Sequence, residues 1–203
     1  MTKLNKLKDS TFEECVREGD FGYKRITTNP VEPINLDKVY FDNCCFENID
    51  FTQFKISLNN VDNCVFVNCD LSNVLFEETV LYKVEFNNCK MQGTFFDECR
   101  FEETIFEEVN GKYINFSSCN LKKVKFRECD FSDSRFMLCE TQKFEVSKVN
   151  FDKTEFISMK MDKTDFSDSH IDNIITDISS LKGIKVNAGQ ALSLSIYLGI
   201  EIV

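Results

Sequence analysis

A chain of 203 residues suits one ordinary domain or one extended repeat array, and its 42% hydrophobic content commits it to a packed core. With 34 Asp and Glu against 24 Lys and Arg, the net charge of −10 argues against direct binding to nucleic acid, which relies on basic side chains displacing phosphate counterions. One histidine leaves histidine-based catalysis almost nothing to use, and no apolar run approaches the ~20 residues of a membrane-spanning helix. Met1-Thr2-Lys3-Leu4-Asn5-Lys6 opens no signal-peptide apolar region, so a cytoplasmic, reducing location is expected for the ten cysteines.

Thr11-Phe12-Glu13-Glu14 has the spacing of a capping box, and Phe12, Cys15 and Val16 would share one helical face, which predicts a short helix over about 11–18. Thr27 to Pro33, with two prolines, reads as a loop. True repeats begin near Ile34, so residues 1–35 are expected to form a cap closing one end of a solenoid.

From Phe41 every fifth residue is apolar as far as Ile171. Of these 27 positions 25 are Phe, Leu, Ile, Val or Met, with Gly111 and Thr141 as exceptions, and they hold 16 of the 21 Phe. A companion column two residues earlier, from Val39 to Ser169, contains no charged residue and eight of the ten Cys. Its Cys, Val, Thr and Ser share a small volume. A period of five would smear both columns around a helix or across both faces of a flat strand. A chain that bends every five residues keeps both inside a tube of coils stacked at ~4.8 Å. Phe46, Phe66 and Phe86 would form one stack, and Phe76, Phe96 and Phe116 another half a coil away. A four-sided coil of twenty residues and a two-sided coil of ten both give that alternation.

The grammar of a small residue, a polar residue, Phe or Leu and two polar residues, as in Cys69-Asp-Leu-Ser-Asn73 and Cys129-Asp-Phe-Ser-Asp133, resembles the pentapeptide-repeat proteins. That resemblance implies an all-β fold, a right-handed quadrilateral β-helix with twenty residues per coil. It would span residues 36–175 in just under seven coils, between the N-terminal cap and a C-terminal helix with short strands.

After Ile171 the repeat fades. Asn187 with Gln190 marks a helix start and Gly199 a stop, while Ile184 and Val186 before it, and Ile200, Ile202 and Val203 after, read as short strands. Only two serines are polar between Ala191 and Leu198, more apolar surface than one buried stripe uses. Residues 176–203 are therefore expected to cap the rod and make a homodimer, with Leu192, Leu194, Ile196 and Leu198 at the interface. Leu181-Lys-Gly-Ile-Lys-Val186, the Gln190-Ala191 pair and the closing Leu198-Gly-Ile200 resemble the C-terminal end of quinolone-resistance (Qnr-type) pentapeptide-repeat proteins. The resemblance implies binding to DNA gyrase and topoisomerase IV, and their protection from quinolones, by a rod that mimics DNA. The phase never slips, so no inserted loop is expected unless its length is a multiple of five.

No cofactor, metal or catalytic residue is expected. The Cys lack a CxxC pair and alternate with Val and Thr, which makes them structural thiols, although Cys45 should point outward as an exposed thiol. His170 falls at an outward position with no nucleophile paired to it, and no glycine-rich phosphate loop exists. Asn59, in the small-residue column, is either a buried amide bonded to neighbouring coils or a local break, the first being favoured. Residues 40–173 hold 25 acids and 15 bases, so all the net charge is on the rod. The side built on Phe46, Phe66 and Phe86 carries −5, the two sides taken to flank it −3 each and the fourth +1. Glu77, Glu78, Asp97, Glu98, Glu102, Glu103, Glu107 and Glu108 are the densest acids and the candidate partner-binding patch. An interaction scaffold with a non-topoisomerase protein partner is the alternative reading.

Overall fold

The computed structural model describes residue 4 and residues 6–201; the expected strand residues Ile202 and Val203 lie outside them. The chain winds into a parallel β-solenoid of about eight turns. Its sides follow the sequence period. Side 1, built on Phe41, Val61, Leu81, Phe101, Leu121 and Thr141, is a six-stranded sheet from Asn35–Asp42 to Glu140–Gln142. Side 2, built on Phe46, Phe66, Phe86, Phe106, Phe126 and Val146, is an eight-stranded sheet. Side 3 runs through Phe51, Leu71, Met91, Gly111, Phe131 and Phe151, and single bridges tie its coils together from Asp50 to His170. Side 4, built on Phe76, Phe96, Phe116, Phe136 and Phe156, is a six-stranded sheet ending at Ile175–Thr176. Phe46 pairs with Phe66, and Phe66 with Phe86, which selects the four-sided coil over the two-sided one.

Lys8–Asp9 and Lys24–Ile26 add two strands to the N-terminal edge of side 2, so coiling starts well before Ile34. Residues before the first recognisable repeat can join because a parallel ladder asks for backbone, not for the five-residue pattern. Helix α1, Phe12–Glu18, starts at Thr11 with the expected capping box and ends on left-handed Gly19; Phe12 and Cys15 are buried, while Val16 faces outward. No described helix is long and apolar enough to cross a membrane.

The corners explain the period. From coil to coil the residue two after nearly every central one takes a left-handed backbone, as Asn43, Glu78, Lys83, Glu108 and Leu138 do with φ of 49–55°. Each N–H there bonds across to the next coil, as from Asn43 N to Asp62 O at 2.9 Å. The core is then two kinds of column. Phe46, Phe66, Phe86 and Phe106 stack with centroids 4.9–5.0 Å apart, and Phe76 through Phe156 at 4.7–5.3 Å.

The small column is more than filler. The Cys69, Cys89, Cys99, Cys119, Cys129 and Cys139 thiols each donate to the carbonyl 23 residues earlier, as Cys69 Sγ does to Phe46 O at 3.4 Å. Thr94, Thr104, Ser134 and Thr154 hydroxyls make the same bond. The column therefore wants a small γ-atom donor, and Cys, Thr and Ser interchange for that reason. Gly111, an exception in the central column, is explained by packing: a Cβ there would lie 2.5 Å from the Phe131 ring.

Three sequence expectations are corrected. Lys55–Asp62 runs as one eight-residue strand with a register shift against Asn35–Asp42, pairing Leu58 with Val39. Leu58 is buried in the place expected of Asn59, whose amide instead donates to the Tyr40 hydroxyl at 3.1 Å, so the local break holds and the buried amide does not. A larger apolar neighbour has simply won the inward slot. Cys45 is buried, its thiol 3.4 Å from Glu47 Oε1, and burial pushes its pKa up to about 12. Finally, the near-neutral side is side 1, a neighbour of acidic side 2, whereas side 4 lies opposite it, because the chain visits the sides in sequence order.

At the C-terminal end Lys185 bridges Asp165, which extends the coil in place of an independent strand around Ile184 and Val186. Helix α2, Ile178–Leu181, is capped by Asp177. Helix α3, Ala188–Leu194, opens with an Asn187–Gln190 capping box and runs into a 3₁₀ turn, Ser195–Leu198, stopped by left-handed Gly199. Buried Gln190 donates to Phe166 O and Ser169 O at 2.9 and 2.7 Å, which fastens the cap to the last coil.

Candidate partner-binding surface

The eight candidate acids divide into three groups. Glu77 and Asp97 end two successive strands of side 4, in register beside each other, and Glu78 and Glu98 follow them at the corners. Glu107 and Glu108 lie on side 2, the opposite side. Glu102 and Glu103 stand between them on side 1, half-buried and paired with the coil above: Lys122 Nζ is 2.7 Å from Glu102 and Lys123 Nζ 2.5 Å from Glu103. The hydrogen bond from Lys123 lowers the Glu103 pKa.

Among the described residues, the six carboxylates on sides 4 and 2 have no ion pair, and five of the six are exposed. The structure thus brings the acids to one height on the rod but breaks them into two unpaired groups facing away from each other. Sequence reasoning places the residues by period and side; it has no signal for which carboxylate a lysine twenty residues on will neutralise. Three of the six, Glu78, Glu98 and Glu108, sit at left-handed corners. Those corners cost a residue with a Cβ ~1–2 kcal/mol, and short-chained Asn or Asp meets the cost more easily than Glu.

The straight strand at Lys55–Asp62 opens a groove of about 640 Å³ beside the side 4 acids, lined by Lys38, Leu58, Asn59, Leu75, Glu77 and Glu78. No periodic reading finds it, since it exists only because the corner at Leu58 is missing.

In the tail, Leu192, Ile196 and Leu198 are exposed, whereas Leu194 is half-buried against the core. His170 is exposed with Nε2 3.3 Å from Asp172. Among the described residues no cluster of His, Cys, Asp and Glu could hold a metal ion. The thiols are occupied as hydrogen-bond donors, and burial pushes Cys129 up to about 12.

Two family models match the chain: "Pentapeptide repeat region" over residues 81–156 and "Pentapeptide repeats (8 copies)" over residues 60–97. Residues 60–156 of the chain are pentapeptide repeats. No curated protein matches it significantly. Among solved structures, full-length QnrB1, a plasmid-mediated fluoroquinolone resistance protein, aligns at 18% identity and a TM-score of 0.32, covering 86% of this chain and 100% of that one. The pentapeptide-repeat protein Rfr23 from the cyanobacterium Cyanothece 51142 aligns at 12% identity and 0.33, covering 80% and 91%. HetL, a pentapeptide-repeat protein involved in heterocyst differentiation regulation from the cyanobacterium Nostoc sp. strain PCC 7120, aligns at 9% and 0.24, covering 85% and 92%. These likenesses carry no functional argument.

Proposed function

We propose that this protein is a non-enzymatic, cytoplasmic homodimer that binds DNA gyrase and topoisomerase IV in place of DNA and thereby protects them from quinolones. The observation that carries the reading is the set of unpaired mid-rod carboxylates, Glu77, Glu78, Asp97, Glu98, Glu107 and Glu108, held on a stiff stack of coils. Carboxylates so fixed need little ordering on binding, and they suit a basic surface that guides DNA. The tail residues Leu181 to Val186 and Leu198 to Ile200 support the same reading by their resemblance to the Qnr-type end.

The charge density of the rod is about half that of duplex DNA. Seven repeat coils at ~4.8 Å make roughly 34 Å, along which duplex DNA carries about 20 charges. The net charge of −10 is about half that, and two rods joined end to end keep the same density over a doubled length. The division of the acids between opposite sides favours a second reading, a scaffold that holds some other basic protein partner on one side only.

Gyrase supercoiling with and without a quinolone tests the proposal. Added protein should restore supercoiling in the presence of drug and should bind gyrase in the absence of DNA. A protein that neither binds gyrase nor shifts drug inhibition leaves the scaffold reading in its place.

A further inference from the structure

Side 4 changes character along its length. Its early strands carry the unpaired acids, while its last three carry the mutually paired Arg135 and Glu155 together with Met137, Leu138, Ile157, Ile175 and, at the start of α2, Ile178. Leu138, Ile175 and Ile178 are each more than half exposed. These residues are neighbours: Met137 is in register with Ile157, and Leu138 N donates to Ile157 O at 3.0 Å. The tail joins the same patch, because the Tyr197 hydroxyl donates to Ile174 O, beside Ile175.

Leu138 is out of place on two counts. Among the described residues it is the only aliphatic side chain at a non-glycine left-handed corner, the others being Asn, Asp, Glu, Lys, Ser and Tyr. It also exposes an apolar body where each of those would present a polar group.

We infer that the dimer interface of this protein runs from the tail along side 4, with Leu138, Ile175 and Ile178 of one copy buried against a second copy. This rests on the proposed tail dimer and goes beyond its four tail residues. Area selects the occupant. An exposed Leu or Ile side chain offers ~100 Å² of apolar surface, so Leu192, Ile196, Leu198 and Ile200, 53–71% exposed, offer roughly 250 Å². A standard homodimer covers ~800 Å² per partner, ~65% of it apolar, or roughly 500 Å². The tail alone supplies half of that. Adding the five side 4 residues, of which Met137 and Ile157 are half-buried, raises it to roughly 450 Å², close to that requirement. The acids further along side 4 limit the overlap: two copies sliding past the apolar strands would bring Asp97 and Glu98 toward like charges. The rods then meet side to side over their last coils, so the dimer is shorter than two rods end to end.

Sedimentation equilibrium over a concentration series tests this on the full chain. Leu138→Glu places a residue already used at other corners of the rod, so folding, checked by circular dichroism, is retained. It should weaken dimerisation at least tenfold, as should Ile178→Glu, and Leu138→Asn should do so more mildly. Leu75→Glu, on the acidic half of the same side, should change nothing. A Leu138→Glu dimer as tight as the parent, beside a monomeric Leu192→Glu variant, overturns the side 4 contact and keeps the tail dimer. A monomeric parent overturns both.

Discussion

The early coils and the later ones turn the same corner with different residues. Between residues 43 and 88 six of the eight left-handed corners are Asn, namely Asn43, Asn48, Asn63, Asn68, Asn73 and Asn88, with Glu78 and Lys83 the others, and amides form ladders: Asn63 donates to Asn43, Asn68 to Asn48 at 3.3 Å and Asn88 to Asn68 at 2.7 Å. Further along, the same positions hold Glu98, Glu103, Glu108, Lys123, Glu128 and Leu138. The first region combines a residue suited to left-handed backbone with a side-chain bond between coils. The second gives up both and gains charge or apolar surface pointing outward. Corner positions are therefore where this rod can exchange stability for a surface, and Glu78, Glu98, Glu103 and Glu108 among the candidate acids sit at such corners.

The core beneath both regions is the same, and breaking it has the largest effect. Phe106 packs between Phe86 and Phe126 at centroid distances of 4.9 and 5.1 Å and is fully buried. Phe106→Ala should lower unfolding free energy by ~3–5 kcal/mol, read from the urea midpoint. Cys129→Ala, which removes one thiol bond to Phe106 O, should cost only ~1 kcal/mol. Equal midpoints for parent and Phe106→Ala would deny the central column its role.

Gly111→Ala is next. Its Cβ would sit 2.5 Å from the Phe131 ring, an aromatic held by Phe126 at 4.8 Å, so overpacking should cost ~1–3 kcal/mol. A thermal scan of the variant should show one transition at lower temperature.

The corner comparison is sharpened directly by Glu108→Asn, which continues the Asn48, Asn68 and Asn88 column. It should gain ~0.5–1 kcal/mol from better left-handed backbone and a further ladder bond, while weakening gyrase binding. Stability and binding moving in opposite directions is the signature of the exchange; a destabilised Glu108→Asn would remove it.

Ion pairs between coils have the smallest effect. Arg135 holds Glu155 through two bonds of 2.9 Å, and the Arg135 hydrogen bond lowers the Glu155 pKa. With its folded pKa depressed, this group contributes stability above its unfolded pKa of ~4.3, and the contribution is lost as pH falls through the folded value. Both side chains are part-exposed, so the loss should stay under ~1 kcal/mol, and Glu155→Gln should flatten that part of the acid limb.

Much of this was legible in the sequence because the five-residue period maps directly onto sides and depth. The columns, the capping boxes at Thr11 and Asn187 and the outward placement of the acids all follow from spacing. What was not legible depends on contacts twenty residues apart. Leu58 displaces Asn59 because two neighbours competed for one inward slot, and Cys45 is buried because Glu47 and the adjoining strand cover it. The pairing of Glu102 and Glu103 with Lys122 and Lys123 needs the coil length, which the sequence left between ten and twenty residues. Helix α2 was missed because a four-residue helix after Asp177 has no room for a periodic signal.

The account stands most directly on the unpaired carboxylates, and gyrase binding across a salt series tests them. Two charge-removing variants are compared with the parent: Glu77, Glu78, Asp97 and Glu98 to Gln or Asn on side 4, and Glu107 with Glu108 to Gln on side 2. Asp42 and Asp62 to Asn on near-neutral side 1 serves as the control. The account predicts slower association and a shallower salt dependence for at least one of the two acid variants, with the control near the parent. Parent-like binding and supercoiling by both acid variants at every salt concentration would contradict DNA mimicry by this rod.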